Sequence, residues 1–121
     1  MRVKQLMSRD PACCLPSDTA CKAAAVMMKN KAALVPVVKN SDTKTLVGVV
    51  TGHDLCFRVI AQGHNPQQVR VRDCMTSNAV CCELNDTLDY AMRLMRENQI
   101  RRIVVVDGYQ RVRGLVSLAV R

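Results

Sequence analysis

The chain has 121 residues, enough for one compact domain, and 49% hydrophobic content with only 2% aromatic calls for a core of Val, Leu, Ile, Ala and Met. A net charge of +8 favours anionic partners: nucleotides, nucleic acid or an acidic protein surface. No apolar run approaches the ~18–20 residues of a membrane span, and Met1-Arg2-Val3-Lys4 lacks the apolar stretch of a secretory leader, so no membrane partner and a cytoplasmic location are expected.

In chain order, residues 2–7 read as a short amphipathic turn with Val3, Leu6 and Met7 as its apolar side. A brief extended stretch carries Cys13-Cys14, and a helix then starts at Asp18, read as its N-cap. Ala20, Ala23, Ala24 and Met27 give that helix an apolar stripe at i, i+3, i+4, i+7 spacing. Strands follow at Leu34–Val38 and Leu46–Thr51, joined by the polar link Lys39–Thr45. Gly48 inside the second strand marks a bulge or a close backbone approach. A helix is expected from Asp54 to about Gln62, ended by Gly63, and His64–Arg70 serves as a connector containing Pro66.

From residue 71 the same order begins again. Shifting the chain by 68 positions gives eleven identities over residues 3–38 and 71–106, without gaps, among them Met7/Met75, Cys14/Cys82, Asp18/Asp86 and Thr19/Thr87. The second copy has its turn at 70–75, a helix after Asp86 with Leu88, Ala91, Met92 and Met95 as the face, and strands Ile103–Val106 and Val112–Ser117. Gly114 occupies the place of Gly48. The expected organisation is one domain, 1–121: repeat one 2–63, connector 64–70, and repeat two 71–121, stopping where its last helix is due. Units of this size bury too little alone and are expected to pack on each other, with a ligand cleft between them.

Several function classes recede. Seven cysteines, an odd number, with no leader read as reduced thiols acting as small hydrophobes. Cys13-Cys14 and Cys81-Cys82 lack metal-ligand spacing, His53 and His64 join no cluster, and no metal is expected. No cysteine is paired with a nearby histidine in a nucleophile-like segment, so the chain is expected not to be an enzyme. Phe57, Tyr90 and Tyr109 are too few to make a base-stacking platform for nucleic acid.

The chemistry concentrates in Gly48-Val49-Val50-Thr51-Gly52-His53-Asp54. A strand ends, a hydroxyl follows, and a carboxylate stands three residues on at a helix start. Such a carboxylate can accept both vicinal hydroxyls of a ribose, and helix N–H groups favour phosphate nearby. Plain helix capping by Thr51 or Asp54 is the alternative use of the same residues.

Repeat and motif together resemble a cystathionine-β-synthase (CBS) domain pair, or Bateman module, over essentially the whole chain, as in small stand-alone CBS-pair proteins. The resemblance rests on Met7-Ser8 and Met75-Thr76, Asp18-Thr19 and Asp86-Thr87, Leu34–Val38, Ile103–Asp107, and Gly48–Asp54. It implies an α/β (α+β) fold: two tandem repeats, each a small three-stranded mixed sheet with two helices, related by a pseudo-twofold axis. It also implies a regulatory module that binds an adenosyl ligand (AMP, ADP, ATP, NADH or S-adenosylmethionine), needs no cofactor and regulates a partner protein.

By the same resemblance Thr51 and Asp54 hold the ribose, with Val49 and His53 beside them; Ala79, Val80 and Ile100 wall the base; and Arg101 and Arg102 clamp phosphate. The mirror-image site keeps a hydroxyl at Ser117 but has Val120 in place of the acid, and Ala33 and Leu34 in place of the arginines, so one competent site is expected. A homodimer is expected through Phe57, Val59, Ile60 and Leu94. The alternative function is a nucleic-acid-binding or pure protein-interaction module using the basic surface.

Overall fold

The computed structural model describes residues 1–118. Its strands are β1 (Ser8–Arg9), β2 (Leu34–Val38), β3 (Leu46–Thr51), β4 (Cys81–Glu83), β5 (Arg102–Val106) and β6 (Val112–Ser117). Its α-helices are α1 (Ala20–Asn30), α2 (Gly52–Leu55), α3 (Val71–Cys74) and α4 (Leu88–Glu97), with a 3-10 turn at Val3–Gln5 and a π-helical continuation of α2 at Cys56–Ile60. The mixed α+β class and the two tandem repeats are as the sequence reading has them.

Two compact units form, and their edges do not coincide with the repeats. One unit is Ala12–Ala79; the other is Met1–Pro11 together with the chain from Val80 onward. The first segment of each repeat is therefore housed with the other repeat. Matching hydrogen bonds hold both segments. In the Ala12–Ala79 unit the Val71 N–H donates to Asp18 O at 2.8 Å and the Ala20 N–H to Val69 O at 2.8 Å. In the other, the Val3 N–H donates to Asp86 O at 2.9 Å and the Leu88 N–H to Met1 O at 2.9 Å. Arg70 donates to Ser17 O and Arg2 to Asn85 O, both at 3.0 Å. Arg2 and Arg70 are a further identity of the 68-residue repeat, one position outside the aligned block.

In the Ala12–Ala79 unit, β2 and β3 pair antiparallel from Leu34↔Thr51 to Val38↔Leu46. Cys14 adds a parallel bridge to Val37, and Thr76 an antiparallel bridge to Val49. In the other unit the sheet has four strands in the order β1-β6-β5-β4, with β4 parallel to β5. The expected three-stranded sheets are thus corrected: a hairpin with a bridge on either side in one unit, a four-stranded sheet in the other. The added partner is the segment just after the turns at 2–7 and 70–75, Ser8–Arg9 on β6 and Thr76 on β3.

Gly48 and Gly114 serve both purposes expected of a strand glycine. Each lies at a register shift, between Val37 and Val38 or between Val105 and Val106 of the partner strand. A Cβ on Gly48 would stand 2.7 Å from Thr76 O, and one on Gly114 2.7 Å from Ser8 O. Only a bare Cα lets the crossing segment reach the strand edge.

The helices start one residue later than expected. Thr19 and Thr87 are the N-caps of α1 and α4, their side chains accepting from Lys22 N and Tyr90 N. Asp18 and Asp86 close the preceding turns, accepting from Leu15 N and Glu83 N at 2.8 Å. Each unit has an aliphatic core. One is built on Ala20, Ala23, Val35, Val37, Val50 and Val71, the other on Val3, Ala91, Met95, Ile103, Val105 and Val116. Ala24 of the expected α1 stripe is exposed instead, and Val26 packs on the core in its place. Val59 is fully buried in one core, so it is not available for the dimer surface expected from the sequence, and Leu94 packs partly buried against the other core.

Candidate functional site

The site lies where β3 runs into α2. Thr51 keeps an extended backbone, φ −120° and ψ 165°, and caps the helix. Its Oγ1 accepts the Asp54 N–H at 3.1 Å, while Asp54 Oδ2 accepts the Thr51 N–H at 3.0 Å. This reciprocal capping box satisfies two helix-end donors. Capping is thus one true role of both residues, and helix formation begins at Gly52, ahead of Asp54.

Asp54 is buried, at 4% exposure, and has two further neighbours. The Thr76 hydroxyl donates to Oδ1 at 3.2 Å and reaches Oδ2 at 3.4 Å. Arg58, one turn along the helix, places Nε 3.7 Å from Oδ1 and donates through its terminal nitrogen to Met75 O at 2.9 Å. Thr76 is itself pinned to β3: its N–H donates to Val49 O at 2.8 Å, and the Val49 N–H donates to Thr76 O at 3.0 Å. Asp54 thereby joins strand end, helix start and crossing segment.

An ionised carboxylate has about four acceptor positions. The Thr51 amide and the Thr76 hydroxyl occupy two, and the guanidinium is an ion-pair neighbour beyond hydrogen-bond distance. Two acceptor positions are left, which is the number a vicinal diol needs. The Thr51 oxygen accepts from Asp54 N and keeps its own proton to donate.

The other expected residues divide by unit. Val49 is buried, with both backbone polar groups spent on Thr76. His53 is exposed and meets the Phe57 ring edge-on at 4.1 Å. Ala79 is half-buried at the end of the same unit. Val80, Ile100, Arg101 and Arg102 belong to the other unit, where Val80 and Ile100 pack against its core and both arginines are exposed. Arg102 pairs with Ser117 across β5 and β6. Val120 lies outside the described residues. Thr76 and Arg58 were missed in the sequence, although Arg58 stands at the i+4 ion-pair spacing from Asp54.

Burial makes poor nucleophiles of the two adjacent cysteine pairs. Burial, reinforced by Asp18, pushes Cys14 up to about 12, and burial with Asp86 does the same to Cys82. Cys13 and Cys81 are also raised, burial being the main cause. Among the described residues no group of three or more His, Cys, Asp or Glu side chains is placed to hold a metal ion.

The profile of the CBS domain matches this chain twice, at residues 3–61 and 71–119. The chain belongs to the CBS-domain family. Among curated relatives, the CBS domain-containing protein YhcV of Bacillus subtilis is 34% identical over 116 residues, covering 96% of this chain and 79% of that one. Among solved structures, a CBS domain protein of Pyrobaculum aerophilum, PAE2072, complexed with AMP, superposes with a TM-score of 0.88 at 25% identity, covering 97% of this chain and 87% of that one. The CBS domain pair of protein MJ0100, in complex with 5′-methylthioadenosine and S-adenosylmethionine, gives a TM-score of 0.85 at 26% identity, covering 97% and 89%. The CBS β3–α2 junction is therefore the segment Gly48–Asp54, with the capping box at its end.

Proposed function

We propose that this CBS pair is a regulatory module that binds an adenine nucleotide or related adenosyl ligand through Thr51 and Asp54 and performs no chemistry itself. The observation that carries the reading is the Asp54 carboxylate, held in a fixed orientation by Thr51 and Thr76 with two acceptor positions left for a ribose diol. The AMP, methylthioadenosine and S-adenosylmethionine bound by structural relatives support the ligand class. Ala79, Val80, Ile100, Arg101 and Arg102 are proposed as base and phosphate contacts on the family resemblance, and output passes to a regulated partner protein. Burial that raises Cys14 and Cys82 to about 12 supports a non-catalytic role for these thiols.

Phe57 and Ile60, at 56% and 59% exposure, support self-association through the helix that follows Thr51. An odd number of cysteines, seven, fits a reducing, cytoplasmic setting. No described helix is long and apolar enough to cross a membrane.

Calorimetry with adenosine, AMP, ADP, ATP, NADH and S-adenosylmethionine, repeated on Asp54→Asn, tests the reading. Binding in the parent and its loss in the variant are expected. Equal affinity in both, or salt-sensitive binding of arbitrary DNA with no nucleotide binding, overturns it.

A further inference from the structure

The carboxylate on which ribose recognition depends is covered. The Asp54 side chain is 6% exposed, while that of Arg58, lying beside it, is 53% exposed. Thr51, Thr76 and Arg58 are held against this carboxylate with different firmness. The Thr51 amide belongs to the backbone of the strand end, and the Thr76 hydroxyl sits on a segment doubly bonded to Val49. Arg58 is a long, half-exposed side chain, 3.7 Å from Oδ1 and anchored only by one bond to the Met75 carbonyl. It is the one neighbour able to leave without breaking strand, helix or crossing segment.

We propose that Arg58 gates the Asp54 carboxylate and, by doing so, selects phosphorylated adenosine ligands over uncharged ones. The inference rests on the reading of Asp54 as the ribose contact. A diol taking the two remaining acceptor positions needs the space beside Oδ1 where the guanidinium stands at 3.7 Å, so the guanidinium has to move aside. An uncharged nucleoside gives the displaced cation no partner, so the lost ion pair counts against binding. A nucleotide brings an anion on the same ribose, and arginine forms charge-assisted, bidentate bonds with phosphate oxygens. The displacement is then an exchange of one anion for another. The exposure of Arg58 gives its head group room to turn from Asp54 toward such a phosphate.

The test uses Arg58→Met, which keeps the aliphatic stem and removes the charge, and Arg58→Lys, which keeps the charge and loses the fork. Thermal melts confirm that both fold. Without any ligand, Asp54 is labelled with a water-soluble carbodiimide and glycine ethyl ester and read by peptide mass. Labelling in Arg58→Met is expected to be several-fold faster than in the parent. Calorimetry with AMP and adenosine should then give an AMP-to-adenosine affinity ratio at least about fivefold lower in Arg58→Met, with adenosine bound more tightly than by the parent, as expected when a charge-assisted contact is lost. Arg58→Lys should fall between.

Unchanged labelling in Arg58→Met overturns the proposal, and so does an unchanged affinity ratio. If Asp54→Asn binds AMP as tightly as the parent, it is the ribose reading that fails. The labelling arm needs no ligand and still decides whether Arg58 covers the carboxylate.

Discussion

The Thr76 hydroxyl donates to the Asp54 carboxylate across 22 residues of sequence, at 3.2 Å to Oδ1 and 3.4 Å to Oδ2. The segment that crosses between repeats is thus fastened to the capping box of α2, and stability and the proposed ribose contact depend on one carboxylate.

Thr76→Val keeps the shape of the side chain and removes the donor. It should cost about 1–2 kcal/mol, the range for deleting one partner of a buried polar pair. Thr76→Ser should recover most of that. Urea denaturation of the three proteins checks the order. Equal midpoints for Thr76→Val and the parent would remove Thr76 from the account.

Asp54→Asn retains an acceptor for the Thr51 amide and loses the charge. Losing a charge-assisted ribose bond costs roughly 1.5–3 kcal/mol, so nucleotide affinity should fall about 10- to 100-fold with a modest change in melting temperature. Asp54→Ala also removes the capping box and should lose about 1 kcal/mol more of stability. Calorimetry and thermal melts on the same preparations separate the two effects.

Gly48→Ala and Gly114→Ala should each destabilise by about 1–3 kcal/mol, as overpacking does in a filled interior. The added carbon at position 48 meets Thr76 O at 2.7 Å and Met75 Sδ at 3.1 Å; at position 114 it meets Met7 Sδ at 2.5 Å and Ser8 O at 2.7 Å. Amide exchange should show the damage first at the docked segments, at Thr76 and Val49 for Gly48→Ala. Uniform loss of protection across the chain would argue against a local cause.

Asp107 predicts an acid limb. Burial alone would raise its pKa, but bonds from the Arg111 and Tyr109 amides and from the Arg111 side chain outweigh it and hold the pKa below the usual 3.8. A lowered carboxylate contributes stability in full above its unfolded pKa and loses it as pH falls through the folded one. Stability should therefore drop as pH falls from about 4 downward. Asp107→Asn should be less stable at neutral pH and flatten that limb. An identical acid profile in the variant would show that other carboxylates dominate.

Thiol labelling at neutral pH should order the cysteines by exposure. Cys56 is exposed and should react with iodoacetamide first. Cys14 and Cys82, buried and raised to about 12, should react only as the protein unfolds. Early modification of either buried thiol, read by peptide mass, would contradict the packing described above.

By itself the sequence determined the elements and their repetition. The hairpin strands fall where β-branched runs bounded by polar links placed them, Leu34–Val38 with Leu46–Thr51 and the block around Ile103–Val106 with Val112–Ser117. These signals are local, because periodicity and turn chemistry act within a few residues. The choice between Asp18 and Thr19 as cap was already finer than composition resolves, since both side chains can accept a backbone bond and only the path of the chain decides which does.

Tertiary structure alone decided where the crossing segments dock. Residues 71–79 carry the second repeat's pattern, yet they complete the first repeat's unit, because the open edge of β3 at Val49 offers an N–H and a C=O to Thr76, and Gly48 clears the way. A backbone edge has no side-chain signature, so the sequence does not show which segment will pair with it. The same docking turned Asp54 from a capping candidate into the junction of Thr51, Thr76 and Arg58. It took Val59 into the core while leaving Phe57 and Ile60 exposed on the same stretch of helix.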